Sequence, residues 1–485
     1  DDAAWPPLSQ RVPIVNRSIP LVLAVALFME QMDSTVIATA LPAIAADIDT
    51  SPISLKLALT AYLVSLAVFI PISGWMADRF GARRIFAIAI GVFMAGSIAC
   101  AASGSLAEFV ISRFLQGMGG AMMTPVGRLV LLRSVEKSQL VSAMAWLTIP
   151  ALVGPMVGPP VGGFLTTFLS WHWIFLINIP IGLAGIVFAL KILPDDGIRV
   201  RDKVDWLGFG LSGGAASGIV FGLSVISLPV LPPLWGIAAT LGGILCLIAY
   251  LFHARSHPKP LLDPKLFQNR TFALSLLGAN LFRVGAGAVP FLLPLMLQLG
   301  FGMSPFQSGM ITFISAAGAI MMKFVIKRIL SSIGFRTTLL LSAGCAALSI
   351  AVNGLFSPAT PIALILVILF LGGLVRSMFF TSVNALTFSE IAPETAAQAS
   401  SFTSAFQQVS IAIGVAVAGG IVEVVSTMNG EVLDLSAFHT AFFVVAAITA
   451  FAIIPFLVLP PSAGNAVSGH TLKRAGSRAA SPVRS

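Results

Sequence analysis

The sequence predicts an all-α protein that crosses a lipid bilayer fourteen times, with both chain ends on the cytoplasmic side. Three observations lead there. Of 485 residues, 57% are hydrophobic and only 10% charged, with a mean hydropathy of +0.97, too little charge to clothe a water-soluble domain. The apolar residues come in long runs, and about 20 such residues carry a helix across the hydrocarbon core. Lys and Arg collect in alternate gaps between the runs, the asymmetry of a membrane protein with its basic loops in the cytoplasm.

Taken in order, the first run covers 19–46. It is too long for a signal-peptide core and lacks an A-x-A-like cleavage site, so it is expected to remain as the first span. A short connection leads to 52–76, then a basic loop with Arg79, Arg83 and Arg84 to 84–103. Spans 106–133 and 138–166 are joined just as tightly around Arg133 and Lys137, and 171–192 follows. Lys191, Arg199, Arg201 and Lys203 flank the next loop, before spans 205–226 and 232–253. A linker with Arg255, Lys259, Lys265 and Arg270 leads to 271–299, 306–328, 336–354, 361–387, 398–425 and 438–460. Lys327, Arg328 and Arg336 lie in the loop between the tenth and eleventh spans. The opposite loops hold acids: Asp47, Asp49, Glu108, Glu431 and Asp434. The net charge of +9 and the pI near 9.9 thus report topology and contact with lipid, not nucleic-acid binding.

The spans fall into groups. SSIGFRTTL (331–339) echoes ADRFGARRIF, and LFLGGLVRSMFF echoes FLQGMGGAMM. Such a repeat places one six-helix bundle at 19–192, a second at 271–460, and an inserted helix pair with cytoplasmic linkers at 193–270, with a central cavity between the bundles. Residues 1–18 form a cytoplasmic segment. The tail 461–485, rich in Gly, Ala, Ser and Arg, reads as disordered.

Several chemistries are absent from the sequence. It has no G-x-x-x-x-G-K-[ST] phosphate loop, no G-x-S-x-G nucleophile turn and no His/Cys/Asp cluster with metal-ligand spacing. An enzyme, an ATP-driven pump, a metal site and a cofactor are therefore not expected. Cys100, Cys246 and Cys345 stand singly on apolar runs and read as packing residues.

The loop GWMADRFGARRIF (74–86) is more specific. Gly74 would let helices approach closely, Gly81 would permit a tight turn, and Asp78 could meet a helix N-terminus or pair with Arg79, Arg83 or Arg84. The pattern G-x-x-x-D-R-x-G-x-R-R resembles the inner-loop signature of the major facilitator superfamily. ISRFLQGMGGAMMTPVGR resembles that superfamily's arginine-bearing motif, with Arg113, Gln116, Gly117 and Gly120 in matching places. PALVGPMVGPPVGGF resembles its antiporter motif through Gly154, Pro155, Gly158, Pro159, Gly162 and Gly163. MDSTVIATALP and SWHWIFLINIPIG resemble the fourteen-helix drug/proton antiporters of the EmrB/QacA type, and within that branch the MdtD-type transporters of Gram-negative bacteria. The resemblance implies the major facilitator fold, a bacterial inner-membrane location, and a monomeric exporter of small molecules driven by protons.

Glu30 and Asp33 lie three residues apart in the middle of the first span and so share a helix face. A carboxylate in a bilayer is costly and marks function, and the resemblance makes Asp33 the proton carrier, with Glu30 sharing the proton or touching substrate. Arg113 cannot deprotonate; it is expected to bias the acid or pair with it, and a permanent structural salt bridge with Asp33 stands as the alternative. The substrate side is read from Arg283 and Arg376, two mid-membrane cations, with Gln116, Asn280 and Gln408 as hydrogen-bonding groups. Lipophilic drugs are the expected cargo. An anionic metabolite, or a metal–carboxylate chelate such as an iron–citrate-like complex, is the alternative that the arginines favour, and a lipid-handling or sensing protein is the third.

Overall fold

In a hydrocarbon layer backbone amides must bond within their own segment, and this chain meets that demand with helices. The computed structural model describes residues 18–135, 140–194, 204–226, 232–392, 395–430 and 433–468, and no strand occurs among them. The expectations placed on Lys137, Arg199, Arg201, Lys203, Glu431 and most of both chain ends lie outside the described residues.

Helix α1 (Ser18–Val36) does not run straight through the first expected span. A 3₁₀ turn, Ile37–Thr39, joins it to α2 (Leu41–Asp47), where Pro42 occupies the first turn, a position whose missing N–H costs nothing. Helices α3 (Lys56–Phe80) and α4 (Ala82–Ala101) are separated by Gly81 alone, at φ 96° and ψ 128°, a conformation closed to most L side chains. Ser105 caps α5 (Leu106–Ser134) by accepting the Glu108 N–H. Then come α6 (Leu140–Phe168), α7 (Trp173–Leu176), α8 (Asn178–Ile192), α9 (Trp206–Ile226) and α10 (Pro233–Ser256).

The second group repeats the broken first helix. α11 (Arg270–Ala286) breaks before α12 (Val289–Leu295), and a π-turn, Met296–Gly300, follows. α13 (Pro305–Asn353) spans 49 residues but is two rods, because Gly334 at φ 71° and ψ 173° interrupts it; the rods match the expected spans 306–328 and 336–354. α14 (Ile362–Thr387), α15 (Ala396–Met428), α16 (Leu435–Phe451), α17 (Ile453–Val458) and the short α18 (Asn465–Ser468) complete the described chain. By length and composition eleven helices among the described residues can cross a membrane. Only 22% of the apolar window of α9 and 17% of that of α10 is buried, as expected where lipid tails replace protein neighbours.

Two cores result. Leu23, Leu27, Phe86, Phe93, Met123 and Val126 fill the first group. Phe282, Phe335, Phe379, Phe442 and Phe456 fill the second, and this core continues into Ile37, Leu41, Ile44, Phe109, Trp171 and Phe175 of the first. The shared residues lie toward the acidic end of the molecule, where Asp47, Glu108 and Asp434 sit, and away from the basic end that carries Arg79, Arg83 and Arg84. The groups thus meet at one end.

Candidate transport site

Burying two acids on α1 requires their neighbours to come very close, and small residues make this possible. A Cβ at Gly117 of α5 would stand 2.7 Å from Ser65 Cβ and from the Tyr62 carbonyl of α3. A Cβ at Gly96 of α4 would stand 2.5 Å from the Gln116 backbone. With α3, α4 and α5 packed so tightly, Arg113 and Gln116 reach α1.

There Arg113 Nη1 donates to Asp33 Oδ2 at 2.7 Å and to Gln116 Oε1 at 2.5 Å. Gln116 Nε2 donates to Asp33 Oδ1 (2.8 Å) and to Ser97 Oγ (2.7 Å). Asn178 Nδ2 donates to the same two acceptors at 2.8 and 3.2 Å. The guanidinium also lies 4.3 Å over the Tyr62 ring, a cation–π contact. Asp33 and Arg113 are each 1% exposed. Asp33 therefore spends its charge on a cation and two amides, the arrangement of a structural ion pair. Gln116, expected beside the substrate, is fully buried in this network instead.

Glu30 has a different environment. Its Oε2 accepts from Gln31 Nε2 at 2.9 Å and from Thr124 Oγ1 at 3.2 Å. Among the described residues no Lys or Arg comes within ion-pair distance of it, although it is only 4% exposed; Arg128 of α5 acts on its charge from farther away. Tyr62 Oη is buried without a hydrogen-bond partner among the described residues. It and Glu30 Cγ stand 3.1 and 3.4 Å from the point a Gly120 Cβ would occupy.

Gln31 also lines a cavity of about 430 Å³ between the two groups. Thr35 of α1, Pro155 and Pro159 of α6, and Ser315, Lys323 and Arg376 from α13 and α14 contribute to its wall. Among the described residues the wall carries two cations and no carboxylate. Arg376 Nη2 donates to Ser315 Oγ at 2.5 Å, and Lys323 Nζ to Thr381 Oγ1 at 2.6 Å. Lys323 lies about 27 Å along α13 from Pro305, at 1.5 Å per residue, so the cavity extends toward the basic end.

The acidic end is shut by the antiporter-like stretch of α6. Cβ atoms at Gly154 and Gly158 would press on Gln31 and Thr35 of α1, and one at Gly162 would stand 2.7 Å from Thr39 Oγ1. The i, i+4, i+8 spacing gives α6 a smooth ridge against α1. Gly163 faces the other group, where its Cβ would stand 2.8 Å from Phe306 Cα. The seam is completed by Phe306 N to Thr167 Oγ1 (3.1 Å), Gln298 Nε2 to the Thr39 carbonyl (3.0 Å), and buried Lys56 against Gly419.

Other expected residues take their places as follows. Arg283 is 3% exposed, lies 5.4 Å from the Phe380 ring centroid and donates to Asn384 Oδ1 at 3.4 Å; it does not line the cavity, and neither do Asn280 and Gln408. Asp78 pairs with Arg133 of α5 at 2.6 Å rather than with Arg79, Arg83 or Arg84, because the ends of α3 and α5 come side by side. Arg83 reaches the Leu193 carbonyl at 3.4 Å, while Arg79 and Arg84 are exposed. A Cβ at Gly74 meets nothing within 4 Å among the described residues, so the close approach expected there is not made by them in this state. Ser97, Tyr62, Thr124, Gln31 and Asn178 were not singled out from the sequence. Asn178 lies in the quoted SWHWIFLINIPIG, and Gln31 beside Glu30; a lone polar residue within an apolar run was the available signal. Folding also assembles Asp205, His253 and His257, with ligand atoms all within 4.8 Å of one another, a cluster that linear spacing did not show.

The model of the Major Facilitator Superfamily matches residues 23–206 and 275–483. The chain belongs to that superfamily. The matched blocks leave 207–274, with α10 and nearly all of α9, between them. Relatives in Klebsiella pneumoniae and Citrobacter koseri, named MdtD multidrug resistance proteins, are 36% and 38% identical; the alignments cover 94% and 87% of this chain and 97% and 89% of theirs. Among solved structures, a D-xylose–proton symporter aligns over 92% of this chain and 98% of its own (TM-score 0.67, 15% identity). A POT peptide transporter with bound sulfate aligns over 94% and 97% (TM-score 0.70, 17% identity). At those identities the likeness is of fold. This major facilitator protein is a multi-pass membrane transporter, not an enzyme.

Proposed function

We propose that this transporter is a proton-coupled exporter of small molecules in the bacterial inner membrane, working by alternating access as a monomer of fourteen spans. The basic end is cytoplasmic, on the positive-inside rule, so the described state is closed outward, with its cavity extending toward the cytoplasm. The observation that carries the coupling is Gln31, which lines the cavity and donates to Glu30. A proton arriving at Glu30 neutralises an acid that forms no close ion pair among the described residues, with Arg128 acting on it only from farther away. The protonated carboxyl becomes a donor and a weaker acceptor, which loosens the bonds from Gln31 and Thr124. Because Gln31 is also part of the cavity wall, the proton state reaches the substrate site through one side chain. This moves the main proton-carrying role from Asp33 to Glu30, with Asp33 and Arg113 fixing α1 to α5.

Drug efflux is the leading reading, supported by relatives named for multidrug resistance. A second reading rests on the cavity wall: Arg376 and Lys323 without a carboxylate suit an anionic metabolite or a metal–carboxylate chelate. The test is transport in everted vesicles with a panel of cationic and anionic substrates. Accumulation should require an inward-acid gradient and collapse with a protonophore; accumulation that ignores the protonophore would remove the antiport reading.

A further inference from the structure

Outside the transport site, three metal-ligating side chains converge at the basic end of α9 and α10. Asp205 precedes the first residue of α9, and its Oδ1 accepts the Gly208 N–H at 2.8 Å. His253, in the last turn of α10, places Nε2 2.7 Å from the same oxygen. His257 caps the end of α10 one turn later, with its ring centroid 5.1 Å from that of His253. The i, i+4 spacing puts both imidazoles on one helix face.

Two features go beyond a hydrogen-bonded helix clamp. The second carboxylate oxygen, Asp205 Oδ2, is buried without any partner among the described residues, on a residue only 7% exposed. Such an orphan acceptor is costly unless something fills it. In addition, each residue offers a ligand atom, and all of these atoms lie within 4.8 Å of one another.

We propose that Asp205, His253 and His257 bind a divalent transition-metal ion, with Zn²⁺ the best match. Two imidazole nitrogens and one carboxylate oxygen form a borderline donor set that suits Zn²⁺, Co²⁺ or Ni²⁺ better than Mg²⁺ or Ca²⁺. Three protein ligands leave the fourth tetrahedral position for water. Tetrahedral bonds of about 2.0–2.2 Å set donor atoms about 3.4 Å apart, so the 2.7 Å His253–Asp205 contact must open and the wider separations must close, changes that rotation of the two histidine side chains can supply. His257 gives up only a 3.3 Å bond from the Lys259 N–H. His253 exchanges its bond to Asp205 for a shared ion. The metal ties the start of α9 to the end of α10. It lies in the 207–274 stretch and its edge, apart from Glu30 and the cavity, so it stands or falls independently of the transport reading.

The test uses the full chain, purified without a polyhistidine tag, in lipid nanodiscs. Titration with Co²⁺ should give saturable visible ligand-field absorption corresponding to one ion per chain, displaced by Zn²⁺. His257→Ala and Asp205→Asn should each weaken binding by about 10-fold or more, as loss of even an outer-shell partner costs 10–100-fold. His439→Ala, at the opposite end against the Phe356 carbonyl, should leave binding unchanged. Zn²⁺ should raise the thermal midpoint of the wild type but not that of His257→Ala. His257 does not hold Asp205 in the metal-free state, so this variant tests the idea even if Asp205→Asn fails to fold. Absence of saturable Co²⁺ binding, or binding unaltered by His257→Ala, would leave Asp205 and His253 as a helix clamp and overturn the site.

Discussion

Arg113 Nη1 and Asp33 Oδ2 stand 2.7 Å apart with side-chain exposures of 1% and 0%, while Glu30, one turn earlier on the same helix, has no such cation partner among the described residues. Breaking a buried pair from one side strands the other charge and costs about 3–5 kcal/mol. Asp33→Asn should therefore lower the thermal stability of the transporter markedly as well as abolish transport. Unfolding midpoints in nanodiscs, compared with the wild type, check this; an unchanged midpoint would return Asp33 to a free proton carrier.

Glu30→Gln should behave in the opposite way. The amide can keep both the Thr124 and the Gln31 contacts and breaks no close ion pair, so the fold should lose much less stability than in Asp33→Asn. Gradient-driven efflux should be lost, whereas substrate exchange without a gradient should persist. Gradient-driven efflux at wild-type rate in this variant would remove Glu30 from the coupling step.

Two glycines separate packing from switching. At Gly158 a Cβ would stand 3.1 Å from Thr35 Cβ and 3.2 Å from the Met32 carbonyl, so Gly158→Val should destabilise by about 1–3 kcal/mol through overpacking. Gly74 has open space around it, so Gly74→Val should leave the unfolding midpoint unchanged. If α3 packs more tightly at this end in the other state, turnover should nevertheless fall. Equal loss of stability in both variants would contradict the described seam.

The sign of the cargo is testable at half-buried Arg376 and buried Arg283. Arg376 lines the cavity and Arg283 does not. A charge-assisted hydrogen bond contributes about 1.5–3 kcal/mol, so Arg376→Gln should weaken anion export by about ten-fold or more and spare or improve export of lipophilic cations. Arg283→Gln should not discriminate by charge. Transport of paired anionic and cationic substrates in proteoliposomes decides; indifference of both charge classes to Arg376→Gln would leave the lipophilic-drug reading alone.

By itself the sequence determined the membrane class, the helix pattern and the family, because these depend on local properties. Run length, the alternation of Arg and Lys with Asp and Glu, and short-range glycine spacing all survive in one dimension. Gly154, Gly158 and Gly162 were visible as a motif, and the structure shows them as one face packed on α1. It also named both acids on α1. It could not apportion their roles, because Arg113, Gln116 and Asn178 meet Asp33 from 80, 83 and 145 residues away. The same limit hid the Arg133 partner of Asp78 and set Arg283 and Arg376 down as equals. His253 meets Asp205 across 48 residues, at a distance fixed by how α9 and α10 pack. Which acid is paired, which cation faces the cavity and which end is shut depend on long-range packing, and only the tertiary structure decides them.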